Sequence, residues 1–119
     1  MNYFSDDELK CKCCGENKFN PDTLARLNRL RHGLGFALPA ASGYRCRNYN
    51  KEKGYTQTHA TGQAVDIRCS HKQAFEILKW AANFGFTGIG INQKGNSRFI
   101  HLDDLPEANH RPRPHVWSY

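Results

Sequence analysis

The sequence lacks a long apolar run, and none of its hydrophobic stretches approaches the ~20 residues needed to cross a bilayer. Residues 1–8 are acidic and lack the basic and apolar regions of a secretory signal peptide. Internal repeats, low-complexity stretches and linkers are missing as well. We therefore expect a single domain over residues 1–119 that is made in a cytosol and, if it acts outside the cell, leaves by another route.

Acidic side chains are fewer than basic ones, with 11 Asp and Glu residues against 17 Lys and Arg residues. The formal net charge of +6 and the pI of about 9.2 favour a polyanionic neighbour: nucleic acid, an anionic membrane or an acidic cell-wall polymer. The basic residues are scattered and form no stripe interleaved with aromatics, which disfavours nucleic acid. At 119 residues, the chain is long enough to build its own hydrophobic core.

The chain lacks an even number of cysteines. It has five: Cys11, Cys13, Cys14, Cys46 and Cys69. An odd number excludes a fully paired disulfide framework within one chain. The first three lie within four positions, but Cys-x-Cys-Cys is not a standard zinc-finger spacing, and a second pair would have to come from the two distant cysteines. We therefore favour buried thiols or one disulfide near the N-terminus over a second metal site.

Capping residues and hydrophobic periodicity predict three helices. Ser5 and Glu8 have the spacing of a capping box for a short first helix. Asn20 caps a longer helix, in which leucines recur every three or four residues until Gly35. A third amphipathic helix is predicted over residues 71–83.

Alternation of apolar and polar residues predicts strands between these helices. One short strand runs into a loop within residues 40–47, and another covers residues 65–69. Residues 87–92 and 98–102 are predicted to form a hairpin. The polar segment 48–58 is interpreted as an irregular excursion.

The C-terminal tail, residues 106–119, is rich in proline and is predicted to be extended and packed on the body by its aromatics. His110 and His115 lie in this tail and are interpreted as surface residues. Gly88 and Gly90, in the first hairpin strand, indicate a close approach of another part of the chain to the backbone.

The residue types most suited to chemistry lie in the segment 58–67. His59 offers an imidazole nitrogen and Asp66 an anionic oxygen to a metal, while Gly62 permits a sharp turn between them. A catalytic zinc site normally takes three protein ligands, so a third must come from elsewhere, and His101 is the best candidate. Arg45 presents paired donors suited to a substrate carboxylate or a developing oxyanion, although a plain surface arginine is an equal alternative.

The strand period places Phe99, His101 and Asp103 on one face of the last hairpin strand. If His101 faces a metal, Asp103 lies near it. We expect Asp103 to act as the general base, with orientation of His101 as the other role open to it.

Three segments form a combined signature: Ser42-Gly43-Tyr44-Arg45-Cys46, His59-x-x-Gly62-x-Ala64-x-Asp66-Ile67 and Phe99-Ile100-His101-Leu102-Asp103. The signature resembles the zinc D-Ala-D-Ala carboxypeptidase family of metallopeptidases, and in particular its small single-domain branch with many short phage proteins of the endolysin type. The resemblance covers nearly the whole chain. It implies an α+β fold of the hedgehog and DD-peptidase kind, a small antiparallel sheet with helices packed on it.

The resemblance further implies one zinc ion held by His59, Asp66 and His101, with Arg45 binding substrate and polarising its carbonyl. It implies hydrolysis of peptidoglycan stem-peptide bonds that involve D-amino acids, by a D-Ala-D-Ala carboxypeptidase or a D-Ala–mDAP endopeptidase. We expect a monomer, of phage origin, that reaches the wall or periplasm after release. The chain departs from the family pattern at one position. Several relatives carry an acidic catalytic base three residues before the second metal-binding histidine, which is His101 here, but this chain has Arg98 at that position.

Two alternatives remain open at this point. The first is a non-catalytic, zinc-containing wall-binding module of a phage particle, which the departure at Arg98 supports. The second is a cysteine-zinc nucleic-acid-binding domain built on the N-terminal cysteines.

Overall fold

The computed structural model describes residues 2–119 and shows an α+β fold built on one five-stranded sheet. The helices are α1 (Asp6–Leu9), α2 (Pro21–Leu34), α3 (Arg47–Lys53) and α4 (His71–Ala81), with 3-10 turns at Thr58–Thr61 and Ala82–Phe84. The strands are β1 (Ala40–Ser42), β2 (Ala64–Arg68), β3 (Gly88–Asn92), β4 (Phe99–Asp103) and β5 (His115–Ser118), in the spatial order β1-β2-β4-β3-β5. No helix within residues 2–119 has the length and apolar character to span a membrane.

The predicted starts of the first two helices are confirmed by their capping contacts, whereas Ser70 precedes α4 without a side-chain capping hydrogen bond. The Ser5 side chain accepts a hydrogen bond from the Glu8 N–H, and the Glu8 carboxylate accepts one in return from the Ser5 N–H. The Asn20 side chain caps α2 by accepting hydrogen bonds from two backbone N–H groups of its first turn. Gly35 ends α2 with a φ of 77°, a conformation that glycine adopts without steric cost.

The two faces of the sheet have different roles, because alternate residues of each strand point to opposite sides. One face packs against α2 and α4 and forms the hydrophobic core. The other face carries Asp66 of β2 and His101 of β4, which are directly opposite each other in register. The core includes Leu27, Leu30, Val65, Ile67, Ile77, Ala81, Ile100 and Leu102.

The sheet is mixed, which differs from the expected antiparallel sheet at one edge. Strands β1 to β4 pair antiparallel, as predicted, but β5 pairs parallel with β3. The reason is the path of the chain, because β4 ends at Asp103 beside Gly88, the first residue of β3. The tail crosses that end of the sheet and begins β5 at His115, again beside Gly88. Only the last part of the tail, β5, is extended as predicted, because the chain makes a tight turn between Ala108 and Arg111. The parallel direction of β5 follows from this crossing.

Helix α3 occupies most of the polar segment 48–58, for which the sequence analysis predicted no helix. No apolar stripe marks the helix, and its buried residue is Asn50, which is 0% exposed. Cys46 caps it with a sulfur that accepts a hydrogen bond from the Tyr49 N–H, and Gly54 ends it with a φ of 71°. The Asn50 side-chain amide donates to the Arg45 carbonyl oxygen at 3.3 Å, and hydrophobic periodicity does not report such a polar contact.

We predict that Gly62→Ala destabilises the protein by ~1–3 kcal/mol more than Gly35→Ala. Both glycines have nearly the same positive φ, 76° and 77°, which costs an alanine ~1–2 kcal/mol. A Cβ on Gly62 would lie only 2.2 Å from the Lys18 carbonyl oxygen, whereas a Cβ on Gly35 would meet nothing within 4 Å. Urea unfolding of the two variants measures the difference, and equal losses of stability would contradict this prediction.

Candidate metal centre

Three side chains from separate elements converge on the open face of the sheet. His59 comes from the 3-10 turn that Gly62 ends, Asp66 from β2 and His101 from β4. His59 Nε2 lies 3.2 Å from His101 Nδ1 and 3.3 Å from Asp66 Oδ1, and the remaining distance, between His101 Nδ1 and Asp66 Oδ1, is 3.2 Å. The three atoms therefore form a nearly equilateral triangle.

The size of this triangle fits a tetrahedral zinc ion. Zinc binds nitrogen and oxygen ligands at about 2.0–2.1 Å, which places tetrahedral ligands about 3.3–3.4 Å apart. The three observed distances come within a few tenths of an ångström of that value. The same three residues also form one of two potential metal-binding groups in the described chain.

Hydrogen bonds behind the two histidines direct a lone pair from each toward the centre of the triangle. His59 Nδ1 lies 2.7 Å from the Gly43 carbonyl oxygen, which can only accept, so Nδ1 carries the proton. His101 Nε2 lies 2.7 Å from Asp103 Oδ2, which likewise assigns the proton to Nε2. In the neutral tautomers three acceptor atoms face one another, an arrangement that a cation stabilises.

Burial and the neighbouring groups shift the pKa values of these three side chains in different directions. His59 is 1% exposed, and burial lowers its pKa, which favours the neutral imidazole that metals require. Burial also acts to lower the pKa of His101, but its hydrogen bonds to Asp103 and Asp66 outweigh burial and raise it. For Asp66, burial acts to raise the pKa, while hydrogen bonds to His101 and His59 outweigh it and hold the pKa well below its usual range.

Asp103 is held behind His101 by an arginine from the tail. Arg113 Nε and Nη2 donate to Asp103 Oδ1 and Oδ2 at 2.9 and 2.8 Å. The Asp103 side chain is 0% exposed and does not line the cleft above the triangle. Burial acts to raise its pKa, but the hydrogen bonds from His101 and Arg113 outweigh burial and lower the pKa to about 2. Two roles were predicted for Asp103, general base and orientation of His101, and this geometry favours orientation of His101.

Two glycines of β3 make room for these partners, as their pattern predicted. A Cβ on Gly88 would lie 2.4 Å from the Asp103 carboxylate oxygens, and one on Gly90 would lie 2.6 Å from Trp117 Nε1. The Trp117 ring therefore reaches across Gly90 and stands 5.1 Å from the His101 ring, measured between centroids. The sequence analysis did not identify Arg113 and Trp117 as site residues. The two glycines of β3 were the available signal, since they indicated that another part of the chain lies close to this strand.

The triangle lies in an open cleft of about 900 Å³. Arg45 lines this cleft with Nη1 3.9 Å from Asp66 Oδ2, and its guanidinium lies 4.8 Å from the Tyr55 ring centroid. His110 and His115 are exposed, as predicted, but both also line the cleft. Arg98 is absent from the lining residues, and its Nε donates to the Gly95 carbonyl oxygen.

The fold and this centre define a class: a small α+β domain with a His-Asp-His metal centre at the floor of an open cleft. Residues 2–103 match the model of the family described as Peptidase M15, and the chain belongs to that family. This confirms the resemblance found in the sequence, and it indicates a zinc-dependent metallopeptidase. No curated protein matches the chain.

Proposed function

We propose that this metallopeptidase hydrolyses peptidoglycan peptide bonds that involve D-amino acids, as a D-Ala-D-Ala carboxypeptidase or a D-Ala–mDAP endopeptidase. The observation that carries the proposal is the triangle of His59, Asp66 and His101, which matches a tetrahedral zinc site and opens onto a cleft. The three residues would hold one zinc ion in the cleft.

When bound, zinc would supply Lewis acidity that polarises the scissile carbonyl and lowers the pKa of a water molecule. Arg45 has the planar donors that bind a carboxylate or a carbonyl oxygen as it gains negative charge. Stacking on Tyr55 and the charge of Asp66 hold this guanidinium at the cleft. Trp117, beside His101, forms an apolar wall that limits access of water.

Asp103 acts through His101 in this proposal. Its carboxylate fixes the proton on His101 Nε2 and leaves Nδ1 free to bind a metal. A role of Asp103 as general base stays a prediction from the sequence, and the contacts with Arg113 support the positioning role instead.

The basic charge of the chain supports a cell-wall substrate. A net charge of +6 raises the local concentration of a cationic protein near an anionic polymer. We propose action on the wall or periplasm, after synthesis in a host cytoplasm and release of the phage-lysin kind, and a monomeric state. Stem peptides of peptidoglycan are the proposed partner.

One observation favours a second candidate, a non-catalytic wall-binding module. Among the described residues that line the cleft, Asp66 has the single acidic side chain, and it belongs to the metal triangle. A hydrolase with this cleft would have to take its proton acceptor from another side-chain type, such as His115. A binding module needs no such group.

The test is digestion of purified peptidoglycan and of two defined substrates, a stem pentapeptide ending in D-Ala-D-Ala and a cross-linked dimer. We expect the zinc-loaded wild type to release D-Ala or to split the dimer, with products identified by mass spectrometry. The Arg45→Ala variant should lose ~10²-fold or more in kcat/KM, since removing one oxyanion donor has such an effect. Arg29→Ala, which changes an exposed arginine outside the cleft, is the matched control.

The two candidates predict different results in this assay. Binding to intact walls without any cleavage product, by protein that holds zinc at this centre, would refute the hydrolase and support the binding module. Equal activity of Arg45→Ala and Arg29→Ala would refute the role given to Arg45.

A further inference from the structure

A second cluster of potential metal ligands lies near the N-terminus and shares no residue with the first. The sulfur atoms of Cys11, Cys14 and Cys46 all lie within 4.8 Å of one another. Zinc–sulfur bonds of about 2.3 Å place tetrahedral sulfur ligands about 3.8 Å apart, which falls within this limit. Cys69 is elsewhere, with its thiol hydrogen-bonded to the Ile67 carbonyl oxygen at 3.4 Å.

The spacing of Cys11 and Cys14 is typical of zinc-binding turns. Although Cys-x-Cys-Cys as a whole is unusual, Cys11 and Cys14 are separated by two residues, the common first half of a structural zinc site. The turn between them is closed by a hydrogen bond from the Gly15 N–H to the Cys11 carbonyl oxygen at 2.9 Å. The fold then places Cys46 beside Cys11 and Cys14, although it is far from them in the sequence.

Backbone donors are directed at two of the sulfur atoms. Cys11 Sγ accepts a hydrogen bond from the Cys46 N–H at 3.3 Å, and Cys46 Sγ accepts one from the Tyr49 N–H at 3.4 Å. Such donors favour a sulfur that carries negative charge, and the thiolate is the form that binds metals. All five cysteines are unpaired in residues 2–119, so these sulfur atoms are available as ligands.

We propose that Cys11, Cys14 and Cys46 hold a structural zinc ion, separate from the one proposed at His59. Three sulfur atoms leave the fourth position of a tetrahedral site to a further ligand. Each thiol releases its proton when it binds, and no oxidation or reduction is involved. The interpretation of these residues as buried thiols or a disulfide is replaced by this proposal.

The position of the cluster explains what such an ion would do. It would join the N-terminal segment to the loop after β1, where the Tyr44 N–H already donates to the Leu9 carbonyl oxygen at 2.8 Å. A Cβ on Gly43 would lie 2.8 Å from the Leu9 backbone, so the two segments are in close contact. The same loop carries the Gly43 carbonyl that orients His59, and also Arg45. The cysteine site would therefore hold in place the loop on which the first centre depends.

The test counts zinc in a chain whose first site has been removed. The His59→Ala/Asp66→Ala double variant, purified under reducing conditions, should retain one zinc ion per chain by elemental analysis. Its cobalt-substituted form should show the near-ultraviolet absorption of a cobalt–thiolate bond. Adding Cys14→Ser, a change at an exposed position, should remove both signals, whereas adding Cys69→Ser should remove neither.

A second measurement needs no cysteine variant. In the zinc-loaded protein, alkylation of the exposed Cys14 should be slow, and a chelator should accelerate it and lower the Tm. Absence of zinc from the double variant, or zinc unchanged by Cys14→Ser, would overturn the proposal. A disulfide mapped within the cluster in zinc-treated protein would do the same. Because none of these measurements uses peptidoglycan, their outcome is independent of the proposed hydrolysis.

Discussion

Replacing His59 with alanine is expected to lower zinc affinity at the first centre by at least ~10²-fold and to abolish metal-dependent hydrolysis. Loss of a group that merely orients a ligand already costs 10–100-fold in affinity or activity, so loss of a ligand should cost more. The remaining two residues, Asp66 and His101, are too few for a catalytic zinc site. Zinc titration in the Cys14→Ser background would report this centre alone.

A matched control and a conservative variant make this prediction specific. His32→Ala changes an exposed histidine far from the cleft residues and should leave zinc affinity unchanged. Asp66→Asn keeps the size of the side chain but removes its charge, and it should also weaken zinc binding strongly. Circular dichroism verifies that each variant is folded. Full zinc affinity in folded His59→Ala would show that the triangle is not the metal site.

Replacing Arg113 with alanine is expected to destabilise the protein by ~3–5 kcal/mol, because the buried Asp103 carboxylate would lose its charged partner. The two side chains are 6% and 0% exposed, so water cannot easily take the place of the guanidinium. Without Arg113, Asp103 would also orient His101 less firmly. Zinc affinity of the first centre should therefore fall by ~10–100-fold. Urea unfolding and zinc titration measure the two effects.

The control for this prediction is Arg29→Ala, the same substitution at an exposed arginine of α2. It should change stability by less than ~0.5 kcal/mol and leave zinc affinity as it was. Arg113→Lys should recover part of the stability, since it restores a positive charge without the paired donors. A stability of Arg113→Ala close to that of Arg29→Ala would contradict the role assigned to this ion pair.

Several parts of the fold follow from residues that are close in the chain. The N-terminal caps of α1 and α2 need only a side chain and a backbone group a few residues apart. The hairpin of β3 and β4 forms between strands that a short turn connects. Alternation along β4 correctly placed His101 and Asp103 on the same face, where they now form a hydrogen bond.

Other parts depend on contacts that the chain separation conceals. The parallel pairing of β5 depends on where the tail crosses the sheet. Arg113 and Trp117 became part of the site through that crossing, since they reach Asp103 and His101 across two glycines.

By itself, the sequence determined the family, the α+β character and the three candidate metal-binding residues, His59, Asp66 and His101. These depend on residue types at set spacings and on strand and helix periods, which are local properties. The tertiary structure decided which partner orients each histidine and which cysteines meet. Those contacts join residues tens of positions apart, and only the packing of the whole chain brings such residues within hydrogen-bonding distance.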